Sequence, residues 1–300
     1  MLRLDLDTAL AEINEIKARY TRDRAAFVTG EHLIEILSAF GSTPQSVAEF
    51  RKVSEGLPPD PTLDFRKARN GRFCLDTGAG TAYRTEFQPF ILTTEEDFVR
   101  HDSGKVRRFA EIDANTQLNP TFQALLVFKH LVVDDIEIVQ RPGLDYDLDK
   151  WICTAFHTRT TTDNEHTGEP ALEGVHSDGV DHTMTVLLGS ENMTDDSAVT
   201  RIHDMRERNA TQWYDIDPEL AIGQWQHRDF LDTILIVDHE RKHSVSTIMR
   251  KDPTTSAQRD MLVLFTRKLT QPGHVSHEFD SVAPHPTLPM SVDLLTPARA

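Results

Sequence analysis

The chain has 300 residues, enough for one large domain with a sizeable core, and its 38% of hydrophobic residues argues against wholesale disorder. Acidic residues outnumber basic ones, 48 against 32, which gives a formal net charge of −16. Such a chain has no general attraction for phosphate backbones or anionic membranes. Binding to nucleic acid or to a membrane surface is therefore disfavoured as its main task.

The cysteine content and the hydropathy of the chain indicate where in the cell the protein resides. The two cysteines, Cys74 and Cys153, are too few for a disulfide framework or a four-thiolate zinc site. No run of about twenty apolar residues predicts a transmembrane helix. The first residues also lack the apolar core of a signal peptide. We therefore expect a soluble, cytoplasmic protein.

The first 60 residues have the pattern of helices. Apolar residues recur at helical spacing after Asp7, a suitable N-cap, and again before Gly41, a suitable C-terminal residue. Thr43 and Pro44 begin a third helix. We predict that residues 1–60 form an N-terminal helical segment packed on the core.

The second half of the chain has the pattern of strands. After position 143, short runs rich in β-branched residues alternate with polar turns. The predicted strands are 151–160, 183–188, 198–202, 233–237, 244–249 and 261–266. Few helices separate them, which disfavours a parallel sheet with helical crossovers. We predict a mainly β fold with flanking helices, in which residues 61–270 form a double-stranded β-helix (jelly-roll, cupin-like) core and 271–300 form a C-terminal tail.

A cluster of metal-ligating residue types follows the first of these strands. Side chains two apart in a strand share a face, so His176 and Asp178 can offer an imidazole and a carboxylate to one ion. A third ligand must come from another strand, and His243, which opens a strand run, is favoured over His239. Two histidines and one carboxylate with open positions are typical of non-haem Fe(II) oxygenases. The same set also binds zinc, and a His-x-Asp triplet occurs by chance as well.

Most of the 14 histidines must have ordinary roles. We interpret several of them as surface residues or hydrogen-bonded core residues. These are His166, His182, His203 and His227.

Arg259 begins a strand run about one strand and one turn after His243, so antiparallel pairing would return it to the metal. A guanidinium binds a carboxylate in bidentate fashion, and a chelating 2-oxo acid has a distal carboxylate that needs such a partner. The alternative is an arginine at the rim that pairs with Asp260 or Asp252. The competing arginines are Arg250 and Arg267.

The stretch 173–181, which contains His176 and Asp178, resembles the iron-site motif of a bacterial and fungal group of 2-oxoglutarate/Fe(II) dioxygenases. This group includes the free amino-acid hydroxylases typified by isoleucine dioxygenase. Segments 156–159, 187–192, 236–245 and 259–262 are similar to the family in the same order, so the resemblance spans roughly residues 60–268. It implies a jelly-roll enzyme that uses Fe(II), 2-oxoglutarate and O₂. It also implies that His176, Asp178 and His243 hold the iron and that Arg259 binds the co-substrate.

The resemblance further implies a small-molecule substrate, a free and preferably aliphatic amino acid that is hydroxylated at an unactivated carbon with release of succinate and CO₂. We expect Arg159 to meet its carboxylate and Glu173 to meet its ammonium group. One alternative keeps the cofactors but carries out desaturation or oxidative ring closure of an amino acid. Others are a non-catalytic jelly-roll binding protein and a zinc hydrolase. The oligomeric state stays open, with a homodimer as one option.

Overall fold

A computed structural model describes residues 4–96, 100 and 102–295, and within them the chain forms five α-helices and thirteen β-strands. The helices are α1 (Leu6–Asp23), α2 (Gly30–Ala39), α3 (Pro44–Phe50), α4 (Ala114–Gln117) and α5 (Pro120–Val133). The strands are β1 (Ala25–Val28), β2 (Arg66–Asp76), β3 (Thr81–Arg84), β4 (Ala110–Glu111), β5 (Leu144–Asp145), β6 (Lys150–Thr162), β7 (His182–Glu191), β8 (Val199–His203), β9 (Ala221–Gln226), β10 (Thr233–Val237), β11 (Lys242–Val245), β12 (Ala257–Thr270) and β13 (Ser291–Asp293). In the described ranges, none of the helices has the length and apolar character needed to span a membrane.

The helices begin at side-chain caps that the sequence supplies. The carboxylate of Asp5 accepts the backbone N–H of Thr8 at 2.9 Å, so α1 is capped two residues before Asp7, the predicted cap. Thr43 forms a capping box at the start of α3, and the side chain of Asn119 caps α5. These bonds satisfy amide groups that have no partner inside the helix, and they fix where each helix starts.

Two antiparallel sheets form the core. The major sheet has the strand order β1-β10-β7-β12-β6-β2-β3-β13, with β5 beside β12 and β4 in parallel beside β2. The minor sheet has the order β11-β8-β9. The predicted mainly β, jelly-roll fold with flanking helices is confirmed.

The major sheet has a helical face and a face that looks into the fold. Leu262 and Leu264 of β12 pack in a buried cluster with residues of α1, α2 and α5. The alternating residues Val263 and Phe265 point to the other face, where they pack with Phe156 of β6. The period of two along each strand thus separates a structural core from the wall of a cavity.

Several strands lie where the sequence pattern did not predict them. Strand β1 lies between α1 and α2 within the segment predicted as helical, and it pairs with β10. Strand β2 pairs with β6 along eleven residues, although its first half is highly charged. The predicted strand 244–249 is instead β11, because the chain leaves the minor sheet after Val245 and the N–H of Ile248 binds the carbonyl of Gly168. The division into segments 1–60, 61–270 and 271–300 stays a prediction.

A buried histidine ties β6 to the helical layer. His157 is 0% exposed, and its Nε2 lies 2.8 Å from the hydroxyl of Ser54. Burial lowers the pKa of His157 to about 4, so its imidazole is neutral in the folded protein at neutral pH. In the unfolded chain a histidine takes up a proton near pH 6.5, so acid favours unfolding.

We predict that the free energy of unfolding decreases as the pH falls from about 6.5 towards 4, by up to about 1.4 kcal/mol per pH unit for each such histidine. The His157→Gln variant should show a shallower decrease than the wild type when urea unfolding of the metal-free protein is measured across this range. An unchanged slope in His157→Gln would assign the acid sensitivity to other groups.

Candidate metal centre and adjoining cavity

Two segments distant in sequence meet at His176 and His243. The N–H of His176 donates to the carbonyl of His243 at 3.0 Å, and the N–H of His243 donates to the carbonyl of His176 at 2.9 Å. This isolated bridge adds the 174–178 segment to the edge of β11. The two imidazole rings therefore lie side by side, with their centroids 4.3 Å apart.

Asp178 completes a group of three possible metal ligands. Its Oδ1 lies 3.4 Å from Nε2 of His176, and its Oδ2 lies 3.6 Å from Nε2 of His243. One donor atom from each residue lies within 4.8 Å of the other two. The structure thus brings together the three residues proposed from sequence. It does not include His239, whose Nε2 contacts the carbonyl of Val139.

Hydrogen bonds orient two of these side chains. Nδ1 of His176 lies 2.8 Å from the carbonyl of Gly174, so Nδ1 carries the proton and Nε2 is left to face a metal. Gly174 has a φ of +76°, and a Cβ there would meet the carbonyl oxygen of Thr211 at 2.5 Å, so only glycine fits this turn. The hydroxyl of Thr183 donates to Oδ2 of Asp178 at 2.7 Å.

A second carboxylate, that of Asp238, holds the backbone of the motif. Its Oδ2 accepts the N–H of Asp178 at 2.7 Å and that of Val180 at 3.4 Å. Burial and the negative charge of Asp178 raise the pKa of Asp238 well above its usual range. Asp238 therefore acts on the position of Asp178 through the main chain.

His243 and Asp178 are in the protonation state that binds a metal ion, whereas His176 shares a proton with Asp178. Burial lowers the pKa of His243 to about 4, which leaves its lone pair available. Burial would raise the pKa of Asp178, but His243 and His176 lower it to about 2. Burial would lower the pKa of His176, but its hydrogen bond to Asp178 raises it to about 10. A cation would replace that shared proton, and two imidazoles with one carboxylate fit Fe(II), as they also fit zinc.

Arg259 lies on the wall of a cavity of about 150 Å³ that the three residues also line. It is 5% exposed, its Nη2 donates to Nδ1 of His227 at 3.1 Å, and its Nε is buried without a hydrogen-bond partner. Within the described part of the chain no carboxylate acts on it, and burial lowers its pKa to about 10. A buried guanidinium with no counter-charge fits the distal carboxylate of 2-oxoglutarate.

The two competing arginines have other partners. Arg267 forms two hydrogen bonds with Asp280, at 2.9 and 2.8 Å. Arg250 lies at the surface and donates to the side chain of Asn164 at 2.8 Å. Neither of them lines the cavity.

The structure brings Glu173 to the cavity but not Arg159. Strand β6 turns Thr158 and Thr160 to the cavity, so Arg159 between them lies on the other face. There its guanidinium holds Asp260 through hydrogen bonds of 2.6 and 2.7 Å. This corrects the prediction that Arg159 binds a substrate carboxylate. Glu173 is half-buried in the cavity wall.

Two further groups in the wall do not follow from the sequence pattern. An aromatic group consists of Phe90, Phe109, Phe156 and Phe265, in which the ring of Phe156 meets the other three edge-on at centroid distances of 4.8 to 5.7 Å. A basic group consists of Arg66, Arg100 and Arg107, which pair with the carboxylates of Asp60 and Asp102. Most of these residues come from 66–109, where the sequence has no clear strand pattern. We call these two groups the aromatic wall and the basic wall.

His227 was interpreted as a surface or core histidine, but it follows β9 and lines the cavity beside Arg259. A histidine in a connection between strands carries no signal of its own. The place of His227 in the cavity wall depends on how the minor sheet packs against the major sheet.

We predict that His243→Ala lowers the affinity for Fe(II) at least about 100-fold, because it removes one of three donor atoms. His239→Ala is the matched control and should keep the wild-type affinity. Equilibrium dialysis of Fe(II) without oxygen, with the melting temperature of each variant recorded, checks this. An equal loss of affinity in both variants would contradict the assignment of the third ligand.

Comparison with known proteins gives consistent matches. The model of the "2OG-Fe dioxygenase" family matches residues 51–265. The chain is 42% identical over 286 residues to "Bifunctional enzyme flvA" of Aspergillus flavus, in a match that covers 95% of this chain and 35% of that protein. The chain thus spans about a third of the length of that curated relative.

Two solved structures are also similar. The Fe(II)/(alpha)ketoglutarate-dependent dioxygenase TqaL is 43% identical, with a TM-score of 0.83 over 96% of this chain and 97% of that one. IDO from Bacillus thuringiensis is 15% identical, with a TM-score of 0.64 over 85% of this chain and 99% of that one, and it shares the fold.

Proposed function

This chain belongs to the 2OG-Fe dioxygenase family, and we propose that it hydroxylates an unactivated carbon of a free amino acid. As a member of the family it is an oxidoreductase that uses Fe(II), 2-oxoglutarate and O₂. One observation carries the proposal. A single cavity is lined by the three candidate metal ligands, by a buried arginine on which no carboxylate of the described residues acts, by Glu173 and by the basic wall. The finer assignment, to the isoleucine dioxygenase type, rests on the motif resemblance.

Each residue then has a task. His176, Asp178 and His243 would hold Fe(II), and Arg259 would bind the distal carboxylate of 2-oxoglutarate. When bound, iron and co-substrate supply the oxidising chemistry, in which one oxygen atom of O₂ enters the substrate and 2-oxoglutarate loses CO₂ to become succinate. The aromatic wall keeps water away from the reacting carbon and contacts an apolar side chain.

A free amino acid is a zwitterion, so its site needs an anionic group and a cationic group at separate positions. The negative charge of Glu173 acts on Arg100 and also on His176, so Glu173 lies near both the basic wall and the candidate metal ligands in the wall of the cavity. We infer that Glu173 binds the ammonium group. The carboxylate would bind the arginines of the basic wall in place of Arg159, in addition to their pairing with Asp60 and Asp102.

The test is an assay with Fe(II), 2-oxoglutarate and a panel of aliphatic amino acids, with succinate and the product mass as readouts. We expect one amino acid to yield succinate and a product heavier by one oxygen atom, which becomes labelled under ¹⁸O₂. The zinc hydrolase hypothesis would require a product formed equally well without O₂. A product lighter by two hydrogen atoms would replace hydroxylation with desaturation or ring closure. Absence of succinate with every free amino acid would refute the substrate class.

We predict that Glu173→Gln raises the KM for the free amino acid at least about tenfold, because an ammonium group loses a charged hydrogen-bond partner. The Kd for 2-oxoglutarate should stay unchanged. An N-acetylated amino acid has no ammonium group, so the preference for the free form over the acetylated form should fall in the variant.

Glu169→Gln is the matched control, since Glu169 is similarly half-buried but lies outside the cavity wall. It should keep the wild-type preference. Retention of that preference by Glu173→Gln would exclude Glu173 as the ammonium partner. A cytoplasmic location and a homodimer remain predictions.

A further inference from the structure

Among the described residues, Arg259 has one side-chain hydrogen-bond partner, His227, whose Nδ1 lies 3.1 Å from Nη2. Both residues are 5% exposed. Arg259 belongs to β12 of the major sheet, whereas His227 directly follows β9 of the minor sheet. Their contact therefore joins the two sheets at the wall of the cavity.

The protonation of His227 follows from its second nitrogen. Nε2 lies 3.2 Å from the carbonyl oxygen of Thr185 and 3.1 Å from the hydroxyl of the same residue. Because a carbonyl oxygen only accepts, Nε2 carries the proton and Nδ1 offers a lone pair to Arg259. Burial and the positive charge of Arg259 lower the pKa of His227 to about 3, so the imidazole is neutral around neutral pH.

The turn that follows His227 is firmly held. The carboxylate of Asp232 accepts the N–H of Arg228 at 2.8 Å and the N–H of Gly30, the first residue of α2, at 2.7 Å. At Gly30 a Cβ would meet the carbonyl oxygen of Phe230 at 2.0 Å, so the turn packs directly on the backbone of α2. His227 thus extends from a fixed turn.

We propose that His227 is a positioning residue for the co-substrate, which orients Arg259 without cancelling its charge. A carboxylate in the same place would also orient the guanidinium, but it would form an ion pair and compete with the distal carboxylate of 2-oxoglutarate. A neutral acceptor leaves the whole charge for the ligand. The inference rests on the proposed function, in which Arg259 receives that carboxylate.

Three substitutions separate orientation from charge. His227→Asn keeps a neutral acceptor near the place of Nδ1, His227→Leu removes the acceptor, and His227→Asp adds a negative charge. We expect the Kd of 2-oxoglutarate to be unchanged in the first variant, about tenfold higher in the second and higher again in the third. Calorimetric titration of the Mn(II)-loaded protein with 2-oxoglutarate measures it without turnover.

Two controls distinguish positioning from general packing. 2-Oxobutyrate lacks the distal carboxylate, so its Kd should be the same in the wild type and the three variants. His157→Gln changes another buried histidine, on the helical face of β6, and should leave both Kd values unchanged. Melting temperatures and Mn(II) affinities show that each variant is folded and loaded.

The outcomes separate the two proposals. A wild-type protein that fails to bind 2-oxoglutarate would overturn the proposed function. Binding by the wild type, with the same Kd in His227→Leu and His227→Asp, would overturn only the role of His227. A parallel increase in the Kd of 2-oxobutyrate would also overturn it, because the residue would then act on packing.

Discussion

The reciprocal backbone hydrogen bonds between His176 and His243 are the contact on which the candidate centre depends. They fix two imidazoles of distant segments side by side, and Asp178 follows two residues later on the same face. Asp238 then holds the main chain of this motif from behind. Because backbone pairing and these hydrogen bonds set the positions of the donors, the site is preorganised for an ion.

The cavity must attract an anion although the chain as a whole is negatively charged. The protein carries a net charge of −16, yet its co-substrate, 2-oxoglutarate, is a dianion. The attraction must therefore be local, and a buried guanidinium supplies it in a region where solvent and salt screen it little. A buried guanidinium without a counter-charge destabilises the unliganded protein. A neutral neighbour such as His227 lowers the free-energy cost of burying that charge less than a carboxylate would. The arrangement favours binding over maximal stability.

The sequence predicts those features that depend on short-range patterns. The presence of the first helices, most of the antiparallel strands after position 143 and the grouping of His176 with Asp178 follow from local sequence patterns, although the cap of α1 and the bounds of strand 244–249 do not. The side on which Arg159 lies does not, because a shift of one residue in the register of β6 would exchange its two faces. The charged residues in the first half of β2 do not have the pattern of a strand. This strand is stabilised by its long pairing with β6. The proximity of His227 and Arg259 exists only after both sheets have formed.

The two outer edges of the major sheet are formed by segments close to opposite ends of the chain. Strand β1 covers the apolar strand β10, and β13 covers β3, with pairings of only four and three residues. Short edge strands of this kind limit the surface on which another molecule could add a strand. Loss of either cover would present unpaired N–H and carbonyl groups of β10 or β3, and molecules trimmed in this way would tend to associate edge to edge. The outermost strands thus limit edge-to-edge association, a task separate from the chemistry of the cavity.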